Sequence, residues 1–216
     1  MHLILTLDKK VYPISSPVNE NVLCQWYARN PEFGMIYEKN GKIIAVCVVI
    51  PLNAKAWNKF VDGKLSEAQL AGKCIFDSSK DDKLALHVYH LEKLDSSLNN
   101  LHLKFLGDLS CILQKLKVSN KKLRVIGLSG LCTTNKGIRL FTEVFGCKEN
   151  RYISDEYVLK NFSKNACRKY VKTSVCMLRS KKELDNKLKK SYKLINRCRL
   201  LVTTPGEKSL VWRYLK

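Results

Sequence analysis

Two ionisable residues that could accept a proton stand close together in the segment Leu84–Leu94, LALHVYHLEKL. Apolar and polar residues alternate along this segment, which is typical of a β-strand whose even and odd positions face opposite sides. His90 and Glu92 therefore share one face, opposite to His87 and Tyr89, and we predict them as general bases. Ordinary strand polarity explains Glu92 equally well and His90 better, and the sequence leaves that alternative open.

A strand, a polar turn and a short amphipathic helix are predicted for Leu123–Cys147, LRVIGLSGLCTTNKGIRLFTEVFGC. The apolar run with two glycines is typical of a buried strand. Thr133, Thr134 and Asn135 follow, and each can cap a helix by accepting a hydrogen bond from a free amide. Gly146 suits the left-handed backbone position at which helices commonly end.

The second half of this stretch resembles the fourth conserved segment of the GNAT N-acetyltransferase superfamily. In that pattern an Asn opens the helix, a Leu-Tyr pair lies near its end, and a bulky apolar residue and a Gly close it. The residues of this chain at those positions are Asn135, Leu140, Phe141, Phe145 and Gly146. The resemblance covers roughly residues 22–162.

The resemblance implies an α/β fold with a GNAT-like mixed, mostly antiparallel central sheet flanked by helices. We expect this domain to span residues 1–162 and to be followed by a basic C-terminal extension, residues 163–216. Residue patterns predict the other elements. The predicted strands are Leu3–Leu7, Met35–Glu38, Lys42–Ile50 (ended by Pro51), Lys148–Ile153, Tyr157–Phe162 and Tyr170–Leu178. The predicted helices are Asn19–Ala28, Ala54–Phe60, Ser66–Leu70, Leu98–Lys117 and Ser180–Leu201. A hairpin turn is predicted at Asn40-Gly41.

In the resembling family a strand followed by a helix holds acetyl-CoA, whose pyrophosphate is bound by amides at the helix N-terminus. Glycines in that loop let the backbone approach phosphate, and the corresponding loop here has none. Either the loop still donates its amides, or the cofactor site has decayed and the fold serves as a binding module. The residues expected to contact the cofactor are Leu91, Lys93, Leu94, Ser97, Asn99, Asn100, His102, Lys104 and Asn135; for Asn135 a helix-cap role is the safer of the two assignments.

The implied reaction is transfer of an acetyl group from acetyl-CoA to a primary amine of a protein, a polyamine or a small molecule. A tyrosine in the later helix often serves as the acid in this family, but Phe141 occupies that position and cannot donate a proton. Tyr152, Tyr157 and Tyr89 are candidates to replace it, and Tyr152 joins the two general bases as an expected catalytic residue. No metal is expected, because the four histidines show no paired ligand spacing.

The charge and cysteine content of the 216-residue chain restrict its partners and its compartment. A net charge of +20 favours anionic partners. The segment Lys181–Arg199 reads as a basic amphipathic helix that either packs on the domain or binds nucleic acid or another anionic surface. A catalytically decayed module that binds nucleic acid or a protein partner through this region is therefore the alternative function.

Nine cysteines without a CxxC pair indicate a reducing, cytoplasmic setting, and no apolar run is long enough to predict a membrane span.

Overall fold

A computed structural model describes residues 2–11, 18–132, 134–152, 199–205 and 210–215 of the chain. The side chains of residues 150–152 are not described, so the position of the Tyr152 hydroxyl stays untested. The strands predicted at Tyr157–Phe162 and Tyr170–Leu178 lie outside the described residues. So do Tyr157 itself and the basic segment up to residue 198.

The described part of the chain forms a sheet with helices on both sides. Its strands are β1 (Gly34–Lys39), β2 (Lys42–Asn53), β3 (Lys83–Lys93), β4 (Arg124–Cys132), β5 (Lys148–Tyr152) and β6 (Arg199–Thr203). Its helices are α1 (His2–Val11), α2 (Glu20–Tyr27), α3 (Ala54–Val61), α4 (Leu101–Ser119), α5 (Asn135–Arg139) and α6 (Leu210–Tyr214). A π-helical turn, Leu140–Val144, continues α5, and short 3₁₀ turns occur at Pro31–Phe33, Glu67–Gln69 and Gly72–Cys74.

The strands are ordered β1-β2-β3-β4-β6-β5. β3 and β4 run parallel, whereas the other four neighbouring pairs run antiparallel. The predicted fold class, an α/β protein with a mixed, mostly antiparallel sheet flanked by helices, is confirmed at this level. Because β6 lies between β4 and β5, residues 199–203 belong to the sheet even though they come late in the chain.

Each face of the sheet carries its own hydrophobic core. On one side, which we call the α4 face, the core includes residues of α4, the π turn and α6: Phe105, Leu106, Leu109, Leu113, Phe141, Val211 and Trp212. On the other side, the α2 face, it includes residues of α1, α2 and α3: Ile4, Leu7, Leu23, Trp26, Trp57 and Phe60. The sheet is therefore covered on both faces, as its apolar central strand predicted.

Local sequence signals explain several element boundaries. Asn40 and Gly41 take positive φ angles of 52° and 71°, so the predicted hairpin turn is confirmed. Asn19 caps α2 by accepting a hydrogen bond from the Val22 amide at 3.0 Å. Gly146, with φ 68°, follows the π turn in the left-handed conformation expected there.

Four predictions of secondary structure are wrong. Leu3–Leu7 lies in α1 and not in a strand, because Ile4 and Leu7 are buried at helical spacing. β2 continues through Pro51, whose carbonyl accepts a hydrogen bond from the Phe76 amide. The predicted helix at Ser66–Leu70 is only a 3₁₀ turn, although its capping box is present. The helix predicted to end at Leu201 cannot do so, because Arg199–Leu201 belong to β6.

Candidate active site

The two parallel strands separate at their carboxyl ends. β3 pairs with β4 up to Val88 and Gly130, after which residues 90–93 of β3 pair only with β2 and the end of β4 pairs with β6. The facing edges of residues 89–93 and 131–132 thus form an opening, which we call the crevice. In sheets with parallel strands, ligands commonly bind at this kind of opening beyond the carboxyl ends.

The N-terminus of the longest described helix follows β3 at the crevice. Side chains of Asn19, Asn53 and Thr134 cap α2, α3 and α5, but the residue before α4, Asn100, makes no such hydrogen bond. The first-turn amides of α4 are consequently not capped by a side chain, and helix N-termini in this condition favour anions. Asn100 also has φ 54° and ψ 39°, so it adopts the left-handed conformation in which a glycine is usual.

Charged side chains surround this helix end on the α4 face. Lys42 Nζ lies 3.9 Å from Asp95 Oδ2, and Lys104 Nζ lies 3.7 Å from Asp108 Oδ2 and 5.1 Å from the centre of the Tyr37 ring. The Asp95 carboxylate accepts a hydrogen bond from the Ser97 amide at 2.7 Å, which holds the pKa of Asp95 below its usual value. The loop is therefore already ordered by ion pairs and an Asx turn.

The residues predicted to contact the cofactor fall into three groups. Ser97, Asn99, Asn100 and His102 lie together in the loop and the first turn of α4, and Lys104 lies one turn further along. Leu91, Lys93 and Leu94 line the end of β3 and its exit. Asn135 begins α5 after β4, but Thr134 is the residue that caps this helix, so the cap role predicted for Asn135 is wrong.

A β-bulge changes the faces predicted for β3. Val48 pairs with His90 and Val49 pairs with Val88, so Tyr89 has no partner residue in β2. One extra residue reverses the inside-outside alternation of all residues beyond it. The strict alternation predicted from the sequence therefore holds up to Tyr89 and is wrong from His90 onward.

The bulge brings four polar side chains of β3 to the α2 face. His90 and Glu92 do share a face, as predicted, but His87 and Tyr89 share it too. His87, His90 and Glu92 pair with Ile50, Val48 and Val46 of β2, and these three partners belong to the α2-face core. Tyr89 belongs to the same core. The candidate bases thus lie beside aromatic and histidine side chains that the sequence placed on the other face.

Two buried side-chain atoms have no hydrogen-bond partner among the described residues. One is Glu92 Oε2, which lies 3.8 Å from His90 Nδ1; the Glu92 side chain is 33% exposed and the His90 side chain 8%. The other is the Tyr27 hydroxyl, where burial raises the pKa above its usual value. We call His90 and Glu92 the open cluster. Buried polar atoms normally have partners, so these two mark places where a ligand can supply one.

A second polar cluster lies deeper on the same face and was not predicted. Trp57 Nε1 donates to Ser129 Oγ at 3.2 Å, Ser129 Oγ lies 2.9 Å from His87 Nδ1, and His87 Nε2 lies 2.8 Å from Glu67 Oε1. The Glu67 carboxylate only accepts hydrogen bonds, so His87 donates to it from Nε2. We call these four residues the closed cluster.

The closed cluster has the residue types of a nucleophilic triad but not the access that one requires. Ser129 and His87 are both 0% exposed. The Trp57 ring covers β4 so closely that a Cβ at Gly127 would lie 2.3 Å from it. The cluster therefore serves as a structural brace that links α3 and the 3₁₀ turn to the strands, one residue pair before the crevice opens.

Phe141 and Tyr89, two of the positions considered for the catalytic acid, hold rings in apolar or aromatic contact. Phe141 is buried against Phe145, and a Cβ at Gly130 would lie 2.3 Å from its ring. The Tyr89 ring meets Trp26 and His90 edge to face, with centroid distances of 4.9 Å and 5.1 Å. Tyr89 therefore helps to hold His90 in place within the open cluster.

Another cavity, of about 570 Å³, lies at the opposite end of β2 and β3. Exposed polar side chains line it, and Arg29 and Asp77 form an ion pair there at 3.1 Å.

The described residues bring no three metal-ligating side chains together. Within the described part of the chain, no helix has the length and apolarity to cross a membrane.

Comparison with known proteins leaves the family of the chain open. No protein-family model matches it, and no significant match was found among curated proteins or among solved structures.

Proposed function

We propose that this protein is an acetyl-CoA-dependent N-acetyltransferase that acts on a primary amine. The observation that carries the proposal is the buried, unpartnered carboxylate oxygen of Glu92 beside the crevice between the parallel strands. A carboxylate in this condition is suited to accept a proton from an amine that enters from the exposed side. The resemblance of residues 135–146 to a GNAT segment supports the same conclusion.

The two faces of the sheet present different polar groups at this end, which supports binding of an anionic cofactor on one side and an amine on the other. On the α4 face lies the uncapped helix N-terminus, where phosphate groups of acetyl-CoA would be favoured; the neighbouring Lys42 and Lys104 are each paired with an aspartate. On the α2 face lies the carboxylate of Glu92, and Glu38 pairs with Ile43, which packs against the core of that face. The helix end therefore favours the cofactor on the α4 face, and the carboxylate favours the amine on the α2 face.

The residues of the chain would contribute positioning and proton transfer. Acetyl-CoA supplies an activated thioester, and the exposed backbone edge of residues 89–93 can hydrogen-bond an extended ligand between the strands. Glu92 Oε2 accepts the proton that the amine loses, and His90, 3.8 Å away, keeps the carboxylate oriented. The uncapped amides of α4 take the place of the glycine-rich loop of the resembling family.

Transfer of labelled acetyl groups to a panel of primary amines tests the proposal. The full chain should acetylate at least one alkylamine, and free CoA should appear in equal amount. Separation by chromatography is preferable to a thiol reagent, because the chain itself has nine cysteines. Absence of transfer to all amines, together with absence of acetyl-CoA binding, would leave the alternative of a binding module.

His102→Asp tests where the cofactor binds. The new carboxylate in the first turn of α4 should leave stability unchanged or raise it slightly, because negative charge is favourable there. It should repel phosphate and so reduce the thermal stabilisation by acetyl-CoA, which is roughly 2.7 kcal/mol at 100 times the dissociation constant. Asn21→Asp, at the same position of α2, is the matched control and should bind the cofactor normally. Equal stabilisation of both variants would refute this placement.

A further inference from the structure

Tyr27 has an unusual hydroxyl in this fold. It is one of the two buried side-chain atoms that lack a hydrogen-bond partner among the described residues, and the other is Glu92 Oε2. By contrast, the hydroxyl of Tyr37, on the opposite face, donates to Asp108 Oδ2 at 2.8 Å. Leaving a buried hydroxyl unpaired is unfavourable, so its retention calls for a partner from outside the chain.

The register of the sheet places Tyr27 and the open-cluster residues of β3 on one face. The Tyr27 ring lies over Gly34, where an added Cβ would approach it to 3.0 Å. Gly34 pairs with Val48, and Val48 pairs with His90, so the ring and the imidazole lie two strands apart in the same row. That separation is about 10 Å between backbones, which the two side chains span in part.

The next row of the sheet provides an apolar surface between them. Ile36 pairs with Val46, and Val46 pairs with Glu92. Ile36 is a large apolar residue of the edge strand β1, and it is 57% exposed. An alkyl chain can therefore lie along Ile36 while its terminal group reaches the carboxylate.

We propose that Tyr27 binds the acceptor nitrogen together with Glu92, and that the acceptor is a primary ammonium group on an alkyl chain. This inference rests on the proposed function. An ammonium group carries three donors and no acceptor, so it can satisfy both unpaired oxygens at once. Tyr27 is a specificity-determining residue in this account, because it fixes the nitrogen without taking its proton.

Tyr27→Phe removes the hydroxyl alone and tests the proposal with propylamine as the acceptor. We expect KM for propylamine to rise about tenfold, the effect of one lost hydrogen bond, while kcat stays within about twofold. The melting temperature of the variant without ligand should not fall, because its hydroxyl has no partner in the chain. Tyr37→Phe is the matched control: its melting temperature should fall, and KM for propylamine should stay unchanged.

Unchanged KM in Tyr27→Phe would overturn the proposal, and so would a melting temperature below that of the natural chain. If the natural chain transfers no acetyl group, the proposed function fails, and stabilisation by propylamine alone then decides about Tyr27. A thermal shift in the natural chain that Tyr27→Phe loses would support the amine site. Absence of a shift in the natural chain would overturn it.

Discussion

The closed and the open clusters lie on the same face of the sheet and share strand β3, yet they differ in how their polar atoms are satisfied. In the closed cluster, Trp57, Ser129, His87 and Glu67 form an unbroken chain of three contacts of 2.8–3.2 Å. In the open cluster, Glu92 Oε2 has no partner, and the nearest imidazole nitrogen is 3.8 Å away. The transition occurs where β3 and β4 stop pairing.

The two clusters therefore have different expected roles, one in the stability of the fold and the other in the proposed reaction. A fully satisfied buried network fixes one arrangement of the elements that it joins, and it has no capacity left for a ligand. Unsatisfied atoms cost stability and are retained where a ligand completes them. We therefore expect the closed cluster to stabilise the strands next to the crevice, and the open cluster to carry the proposed proton transfer.

Breaking the closed cluster should have the largest effect on stability. His87→Leu leaves the Glu67 carboxylate buried without its partner, which typically costs roughly 3–5 kcal/mol. Thermal unfolding should occur on the order of 10 °C lower. The double variant Glu67→Leu/His87→Leu removes both partners of the buried contact and should be more stable than His87→Leu alone. A double variant whose loss equals the sum of the two single losses would show that the pair is not coupled.

An isosteric change in each cluster sharpens the comparison. Glu92→Gln removes the proposed base, so kcat should fall roughly 100- to 10,000-fold while denaturant unfolding stays unchanged. Glu67→Gln retains a hydrogen-bond acceptor for His87 but weakens a charge-assisted bond, so it should lose roughly 1–2 kcal/mol of stability. Its kcat should change little once the protein is folded. Similar losses of stability in both variants would contradict the assignment of separate roles.

The smallest expected effect on stability at neutral pH concerns the buried thiol of Cys132, at the end of β4 beside the crevice. Burial raises the pKa of Cys132 from 9.0 to about 12. The unfolded chain therefore loses this proton at lower pH than the folded chain, so the thiol lowers stability as pH rises from 9 toward 12. The expected slope is about 1.4 kcal/mol per pH unit for each such group. Cys132→Ala should reduce that slope by one group, measured by denaturant unfolding at several pH values, and an unchanged slope would refute this.

The sequence predicted well those elements whose signals are local. Asn40-Gly41 requires positive φ at both residues, and Asn19 and Ser66 cap with their own side chains, so the hairpin, α2 and the capping box follow from neighbouring residues. Leu3–Leu7 was ambiguous, because a short apolar run fits either periodicity and only its packing on the α2 face selects the helix.

The site was predicted only in part, because its geometry depends on pairing across strands. Period-two alternation placed Glu92 and His90 together, but it could not reveal the bulge at Tyr89, which depends on the register with β2. The closed cluster joins residues separated by up to 72 positions, and Tyr27, at the end of α2, packs over Gly34 of β1. A buried serine between two glycines of β4 was the one sequence signal that pointed toward the closed cluster.

Hydrogen–deuterium exchange of the full chain with and without acetyl-CoA tests most directly whether the crevice is the cofactor site. We predict slower exchange in residues 89–93 and 131–132, and in the first turn of α4 at residues 101–104. The cavity at the other end of the sheet, including residues 72–77, should exchange at the same rate in both states. Unchanged exchange along the crevice at millimolar acetyl-CoA, or slower exchange only around residues 72–77, would contradict the account.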